Sequence, residues 1–284
     1  MNVQVIQVPY DSGHRSLRMG RGPEHFVANG LAEALEADGH EVGIETIESQ
    51  SEFRGEVQTQ FELYRSLAGQ VAAARQSGHF PLILSGNCGA SVGAIAGAGT
   101  ERLGVIWFDA HGEFNTPETT ASGFLDGMGL AIATGLCWKT LAASIPGFRP
   151  LPGPQILLVG GRDFDPGERE QLEQAGVRVI DAASVAQANM KQALQSAITD
   201  LQRSVDEIHL HIDLDSLNPM EAPANGFVTE DGGLSVSDLS EAITRIQEDL
   251  RITSLTVASF DPTYDPQGKT LRAALKLIRQ AIAG

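Results

Sequence analysis

The chain has 284 residues, 42% of them hydrophobic, which is enough apolar material to bury a sizeable core in a single domain spanning 1–284. Its 36 acidic residues against 20 basic ones give a formal net charge of -16, which argues against nucleic acid or an anionic membrane as partner, since both select basic surfaces. No apolar run reaches the ~18 residues that span a bilayer. The start Met1-Asn2-Val3-Gln4 lacks a secretory signal's charged segment, and the two cysteines, Cys88 and Cys137, make no disulfide framework, so a cytoplasmic protein acting on a small molecule is expected.

In chain order, short apolar runs alternate with longer helical patterns. Strands are predicted at Val3 to Val8, Val42 to Ile47, Leu82 to Leu84, Leu103 to Phe108, Ile156 to Val159, Val177 to Ile180, Ile208 to Ile212 and Leu255 to Ser259. Several are nearly continuous in hydrophobicity, which predicts an α/β fold whose parallel sheet is covered by helices on both faces. The stretch Gly86 to Gly99 places glycines near a strand end with small residues beyond, suiting close helix packing. Pro146 to Pro154, with four prolines and two glycines in nine residues, reads as a surface loop before a strand. Leu239, Ile243, Ile246, Leu250 and Leu271, Leu275, Ile278, Ile282 form two helical stripes that pack into the core. Neither a Gly-x-Gly-x-x-Gly fingerprint nor a phosphate-loop Lys motif is present, so nucleotide binding has no support.

Two strand ends carry the chemistry. Asp109-Ala110-His111-Gly112-Glu113-Phe114-Asn115 follows Leu103 to Phe108, and His209-Leu210-His211-Ile212-Asp213-Leu214-Asp215 ends the strand about a hundred residues later. Alternation along a strand puts His211, Asp213 and Asp215 on one face. Ligands of such sheets bind outside the carboxyl ends of the strands, where both motifs fall. Crowded carboxylates raise one another's pKa unless a cation neutralises them, so more than one metal ion is expected. Aspartates also end strands merely to cap a turn, an account that serves one such motif better than two. Elsewhere, His14 reads as a loop residue, Cys137 as an inert packed thiol and Trp107 as core, while His25 and His79 have no ligand-like spacing.

On these residues the chain resembles the ureohydrolase superfamily of arginase, agmatinase and formimidoylglutamase. The family's Asp-Ala-His-x-Asp-x-Asn is similar to Asp109 to Asn115, and its Ser-x-Asp-x-Asp-x-x-Asp-Pro to His211 through Pro219. Ser85-Gly86-Asn87-Cys88-Gly89 resembles Gly-Gly-Asp-His-Ser more weakly, Gly161 to Glu168 resembles the arginase segment at a substrate amino group, and Met19 to Glu24 the amino-terminal Gly-Pro-Glu element. The resemblance implies a three-layer arginase-like fold with a central parallel, roughly eight-stranded sheet, a trimer or hexamer, and hydrolysis of a guanidino or amidino C–N bond at two divalent ions, usually manganese. It implies that Asp109 and Asp213 bridge the ions, with His111 and Asp215 completing one position and Cys88 with Glu113 the other. Asn115, Ser122, Asp165 and Glu168 fall where an amino-acid substrate is held.

Six departures qualify that reading. Cys88 stands where most of the family has His, a thiolate donor that admits zinc or nickel beside manganese. Glu113 replaces Asp, one methylene longer, and His211 replaces Ser, offering an extra ligand, a base or a buried histidine bonded to backbone. The proton-shuttle His falls on Asp126 and a substrate-binding Asn on Phe124. The acid that grips the guanidinium falls on Ser259, with Asp261 two residues on as the nearest carboxylate. A minority branch of the superfamily shares the Cys and includes hydrolases of Nω-hydroxyarginine, whose headgroup is less basic. The chain is therefore read as a hydrolase of a modified arginine, the alternative being a catalytically degenerate relative that binds a metabolite or serves in assembly.

Overall fold

A computed structural model describes residues 1–227 and 232–283. Its central sheet contains β1 (Asn2–Val8), β2 (Glu41–Thr46), β3 (Phe80–Ser85), β4 (Leu103–Phe108), β5 (Ile156–Val159), β6 (Arg178–Ile180), β7 (Glu207–Asp213) and β8 (Arg251–Ala258). The spatial order is β2-β1-β3-β8-β7-β4-β5-β6, and every pairing is parallel. All eight predicted runs fall on these strands, with Ile47, Val177 and Ser259 each one residue outside. The third was read short because Pro81 lacks the N–H that a ladder uses and so masks the strand's beginning.

Every residue of β3, β4 and β5 is buried, as expected for strands sandwiched between helical layers. One face, with Ile106, Phe108, Leu210 and Ile212, shares a core with helices Met190–Leu201, Val236–Asp249 and Lys269–Ile282. The predicted stripes lie on the last two of these, where Leu239, Ile243, Ile246, Ile278 and Ile282 are buried and Leu271 and Leu275 are partly so.

The other face, with Val105, Trp107 and Leu158, packs beneath α1 (Glu56–Gln76) and α2 (Ala90–Ala98). A Cβ on Gly93 or Gly97 of α2 would come within 2.6 or 2.5 Å of the carbonyl oxygens of Tyr64 and Ala68 on α1, so only glycine lets these backbones touch. That contact seats α2 and the Cys88 turn before it. Pro146 to Pro154 leads through a 3-10 turn, Gly153–Gln155, into β5 as expected. Among the described residues no helix is long and apolar enough to cross a membrane.

The strands β3, β8, β7 and β4 are consecutive neighbours in mid-sheet. At or just beyond their carboxyl ends come Cys88, Ser259, Asp213 and Asp109, which the parallel registers bring to one edge.

Candidate active site

Asp109 is fully buried and aimed from two sides: the Trp107 indole N–H donates to Oδ2 at 2.8 Å, and the backbone N–H of His111 donates to Oδ1 at 2.8 Å. Trp107, read from sequence as core alone, therefore also orients a ligand. At the end of β7 the backbone N–H of Asp215 donates to Asp213 Oδ1 at 2.7 Å, while Cys88 Sγ donates to Asp213 Oδ2 at 2.8 Å. The Asp215 backbone carbonyl accepts from Arg162 at 2.8 Å, and its Oδ2 accepts from Asn225 Nδ2 at 3.2 Å. Asn225 also donates to the Ser259 carbonyl at 3.0 Å, tying the β7 and β8 loops together. Sequence reasoning missed the roles of Arg162 and Asn225, since both act through contacts between separate loops that no motif spacing encodes.

Two groups of candidate ligand atoms result. Cys88, Asp109, His211 and Asp213 each place one within 4.8 Å of the others, and Asp109, His111 and Asp215 form a second group. His111 Nδ1 is 3.3 Å from Asp109 Oδ1 and 3.6 Å from Asp215 Oδ2. Asp109 is common to both groups, and six of the predicted residues converge. Glu113 belongs to neither group. Its φ is +56°, and its carbonyl accepts from Leu130 and Ala131 at 2.9 and 3.2 Å, which pins the backbone at the start of the helix Gly129–Ala133. With the extra methylene, its Oε2 lies so close to Gly129 that a Cβ there would stand 3.1 Å away.

The charges require neutralisation. Burial, reinforced by neighbouring carboxylates, pushes Asp109, Glu113 and Asp213 up, the last two well above the usual carboxylate range, and burial also raises the Cys88 thiol. Burial opposes a charge on His111, but Asp215, Asp109 and Asp213 outweigh it and push the imidazole up to about 10. Burial pushes His209 down to about 3 and His211 well below its ordinary value. Glu113 Oε2, His211 Nε2 and Asp215 Oδ1 are buried with no hydrogen-bond partner among the described residues. Orphaned donors and acceptors gathered at one place, with thiol, imidazole and carboxylate beside them, fit divalent cations.

The remaining predicted residues line a cavity of ≈ 420 Å³ or brace it. Glu168 Oε1 accepts the Phe114 N–H at 2.8 Å and its Oε2 accepts the Asp165 N–H at 3.1 Å, so it struts one loop against the other. Asn115 donates to Asp165 Oδ2 at 2.8 Å, and Ser122 lies on the exposed rim. Ser259 is buried with φ +65°, its Oγ 3.2 Å from Cys88 Sγ, a left-handed conformation held by its surroundings. Asp126 is drawn into the Cys88 turn, its Oδ1 accepting from Gly89 N–H at 2.8 Å and its Oδ2 from Asn87 Nδ2 at 2.7 Å, so both oxygens are occupied where a proton shuttle was expected. Asp261 does not replace the missing acid, because its Oδ1 accepts from the Thr263 N–H and hydroxyl at 3.0 and 2.8 Å, capping its own turn. Phe124 stacks on Phe227 at 5.5 Å, forming an aromatic wall.

The Arginase family model matches residues 1–284. The chain belongs to the arginase family. It is 32% identical over 289 residues to the arginase of Bacillus caldovelox, covering 97% of this chain and 96% of that one, and 29% identical over 291 residues to that of Bacillus subtilis strain 168, covering 99% and 97%. The crystal structure of arginase from Bacillus cereus superposes with a TM-score of 0.91 at 28% identity, covering 100% of this chain and 99% of that one. Formimidoylglutamase from Bacillus subtilis shares the fold, with a TM-score of 0.74 at 19% identity over 99% of this chain and 86% of that one. As an arginase-family member the chain is a metal-dependent amidinohydrolase of the guanidino type, and the two groups joined at Asp109 are candidate ligand sets for its metal.

Proposed function

We propose that the chain hydrolyses the amidino C–N bond of a modified arginine, with Nω-hydroxyarginine as the type substrate. The observation that carries this reading is Ser259. The last strand delivers a buried hydroxyl turned towards Cys88 in place of a carboxylate, and the neighbouring Asp261 is occupied by Thr263. A headgroup less basic than guanidinium loses less when that counter-ion is missing, and the Phe124–Phe227 wall suits a less strongly hydrated group.

Divalent ions held at the two groups would supply a water of lowered pKa and an electrophilic anchor for the amidino carbon's substituents. The protein's own residues do the rest. Asn115, Asp165 and Ser122 offer the polar rim for the α-carboxylate and α-amine, with Glu168 fixing the loops that carry the first two. Glu113, buried on the cavity wall outside both ligand groups, is positioned to act in proton transfer to the departing amine.

The test is ornithine release from arginine and Nω-hydroxyarginine, urea release from agmatine and guanidinobutyrate, and formamide release from formiminoglutamate, each with manganese, zinc or nickel. Nω-hydroxyarginine should have the highest kcat/KM. Arginine at or above it would refute the substrate reading, and silence on all five with metal bound would reject the substrate class.

A further inference from the structure

We infer that His211 Nε2, and not the Glu113 carboxylate, completes the Cys88 half of the metal centre, making it a four-donor site of one sulfur, one nitrogen and two oxygens that selects zinc over manganese. This rests on the binuclear reading above and assigns the ligands within it.

His211 is fully buried on β7, its ring stacked on Trp107 with centroids 3.7 Å apart. Its Nδ1 shares a 2.7 Å hydrogen bond with Ser91 Oγ on α2, which leaves Nε2 as the nitrogen without a partner. An imidazole fixed at one nitrogen by a hydroxyl and bare at the other is arranged as metal ligands are, with the outer partner setting tautomer and ring direction.

The chain contains its own control. His209 lies two residues earlier on the same face, equally buried, yet both its nitrogens are satisfied, Nδ1 by Ser254 Oγ at 2.8 Å and Nε2 by Thr256 Oγ1 at 3.2 Å. A histidine that merely fills the core under α2 looks like His209, and His211 does not. Trp107 adds a second link, because its ring face carries His211 while its N–H carries Asp109, so one indole aims two members of the same ligand group.

Glu113 is the residue displaced. It lies outside the group that contains Cys88, Asp109, His211 and Asp213, with its backbone pinned at Leu130 and its carboxylate against Gly129. Thiolate plus imidazole plus two carboxylates is a zinc-like donor set, whereas the Asp109, His111 and Asp215 group has no soft donor and three protein ligands.

The deciding measurement is zinc-edge X-ray absorption of the full chain loaded with two equivalents of zinc, which counts imidazoles and detects sulfur near ~2.3 Å. Two imidazoles and one sulfur per zinc pair are expected. One imidazole overturns the inference while leaving the binuclear centre standing, and a chain that binds no zinc, cobalt or manganese overturns both. Chelator competition on variants gives a second readout. His211→Phe, which keeps a ring on Trp107, should weaken one of the two zinc ions by at least ~100-fold, more than the 10 to 100-fold typical of an outer partner. Glu113→Gln should change both by less than ~10-fold, and the reverse ranking overturns the assignment. Should His211→Phe fail to fold, the absorption count on the unsubstituted chain decides alone.

Discussion

Asp126→Asn separates the two effects that meet at the Cys88 turn. The hydrogen bonds there have a fixed polarity: Gly89 and Asn87 donate to Asp126, while Asn87 Oδ1 accepts from the Ser12 N–H at 2.8 Å and from Gln60 Nε2 at 2.7 Å. An amide at 126 must set a donor against Gly89 or Asn87, and flipping Asn87 only moves the conflict to Ser12 and Gln60. One buried donor is left unpaired, costing ~1–3 kcal/mol. Against this stands the charge. Burial pushes the Asp126 carboxyl from 3.8 up to about 7, so the folded chain keeps a proton that the unfolded chain releases. Stability is therefore lost as pH rises from near 3.8 through about 7, by ~4 kcal/mol in all, at ~1.4 kcal/mol per pH unit. The variant lacks that loss. It should be the less stable chain at pH 5 and should match or exceed the unsubstituted chain at pH 8. Urea unfolding of both chains with chelator present, at intervals from pH 5 to 8, reads the difference directly, with other carboxylates largely cancelling. Stability curves that run parallel across that range would refute the reasoning.

Other perturbations probe the rest of the site. Gly112→Ala places a Cβ 2.4 Å from the Glu168 carboxyl carbon, and displacing that strut breaks its bonds to the Phe114 and Asp165 N–H groups, so thermal unfolding should show a loss of ~1–3 kcal/mol together with reduced turnover. Cys88→Ser should lower zinc affinity far more than manganese affinity, so the ratio of the two dissociation constants in competition calorimetry moves towards manganese, and an unchanged ratio would show that sulfur is no ligand. Saturating metal should raise stability by ~4 kcal/mol at a thousand-fold excess over Kd. That gain should shrink at pH 5, because Asp109, Asp213 and Cys88 are raised by burial and protons compete there with the cation.

The strands were legible because burial on both faces writes itself as unbroken apolar runs, and Leu103 to Phe108 fixed both the strand and the position of Asp109. The candidate metal ligands were legible in part for a related reason, since period-two alternation puts His211 and Asp213 on one face, whereas Asp215, expected there too, lies in the 3-10 turn Leu214–Ser216 beyond the strand and joins the other group. What the chain did not disclose depends on three-dimensional contacts. The left-handed backbone of Glu113 is set by hydrogen bonds to Leu130 and Ala131, and a residue type carries no such information. Asp126 fills the shuttle's place in the pattern yet faces Asn87 and Gly89, a pairing visible only once the β3 turn and the loop before Gly129 meet. Asp261 shares a face with Ser259 only in an extended chain, and the turn at Pro262–Tyr264 removes it.

The departures at Cys88, Glu113 and His211 then act as one exchange. The family pattern places a neutral imidazole at position 88 and an anionic carboxylate at position 113. Here the Cys88 half takes an anionic thiolate and the neutral imidazole of His211, so beside Asp109 and Asp213 the summed charge of its donors stays the same while one donor becomes softer. The electrostatic pull on a bound water depends first on that charge balance, and the choice of metal depends on the donor type. Glu113 lies outside both ligand groups, so it does not enter the summed charge of the donors. A chain that had lost its centre by drift would have no reason to keep this balance, whereas one adapted to a different metal and a less basic headgroup would have to.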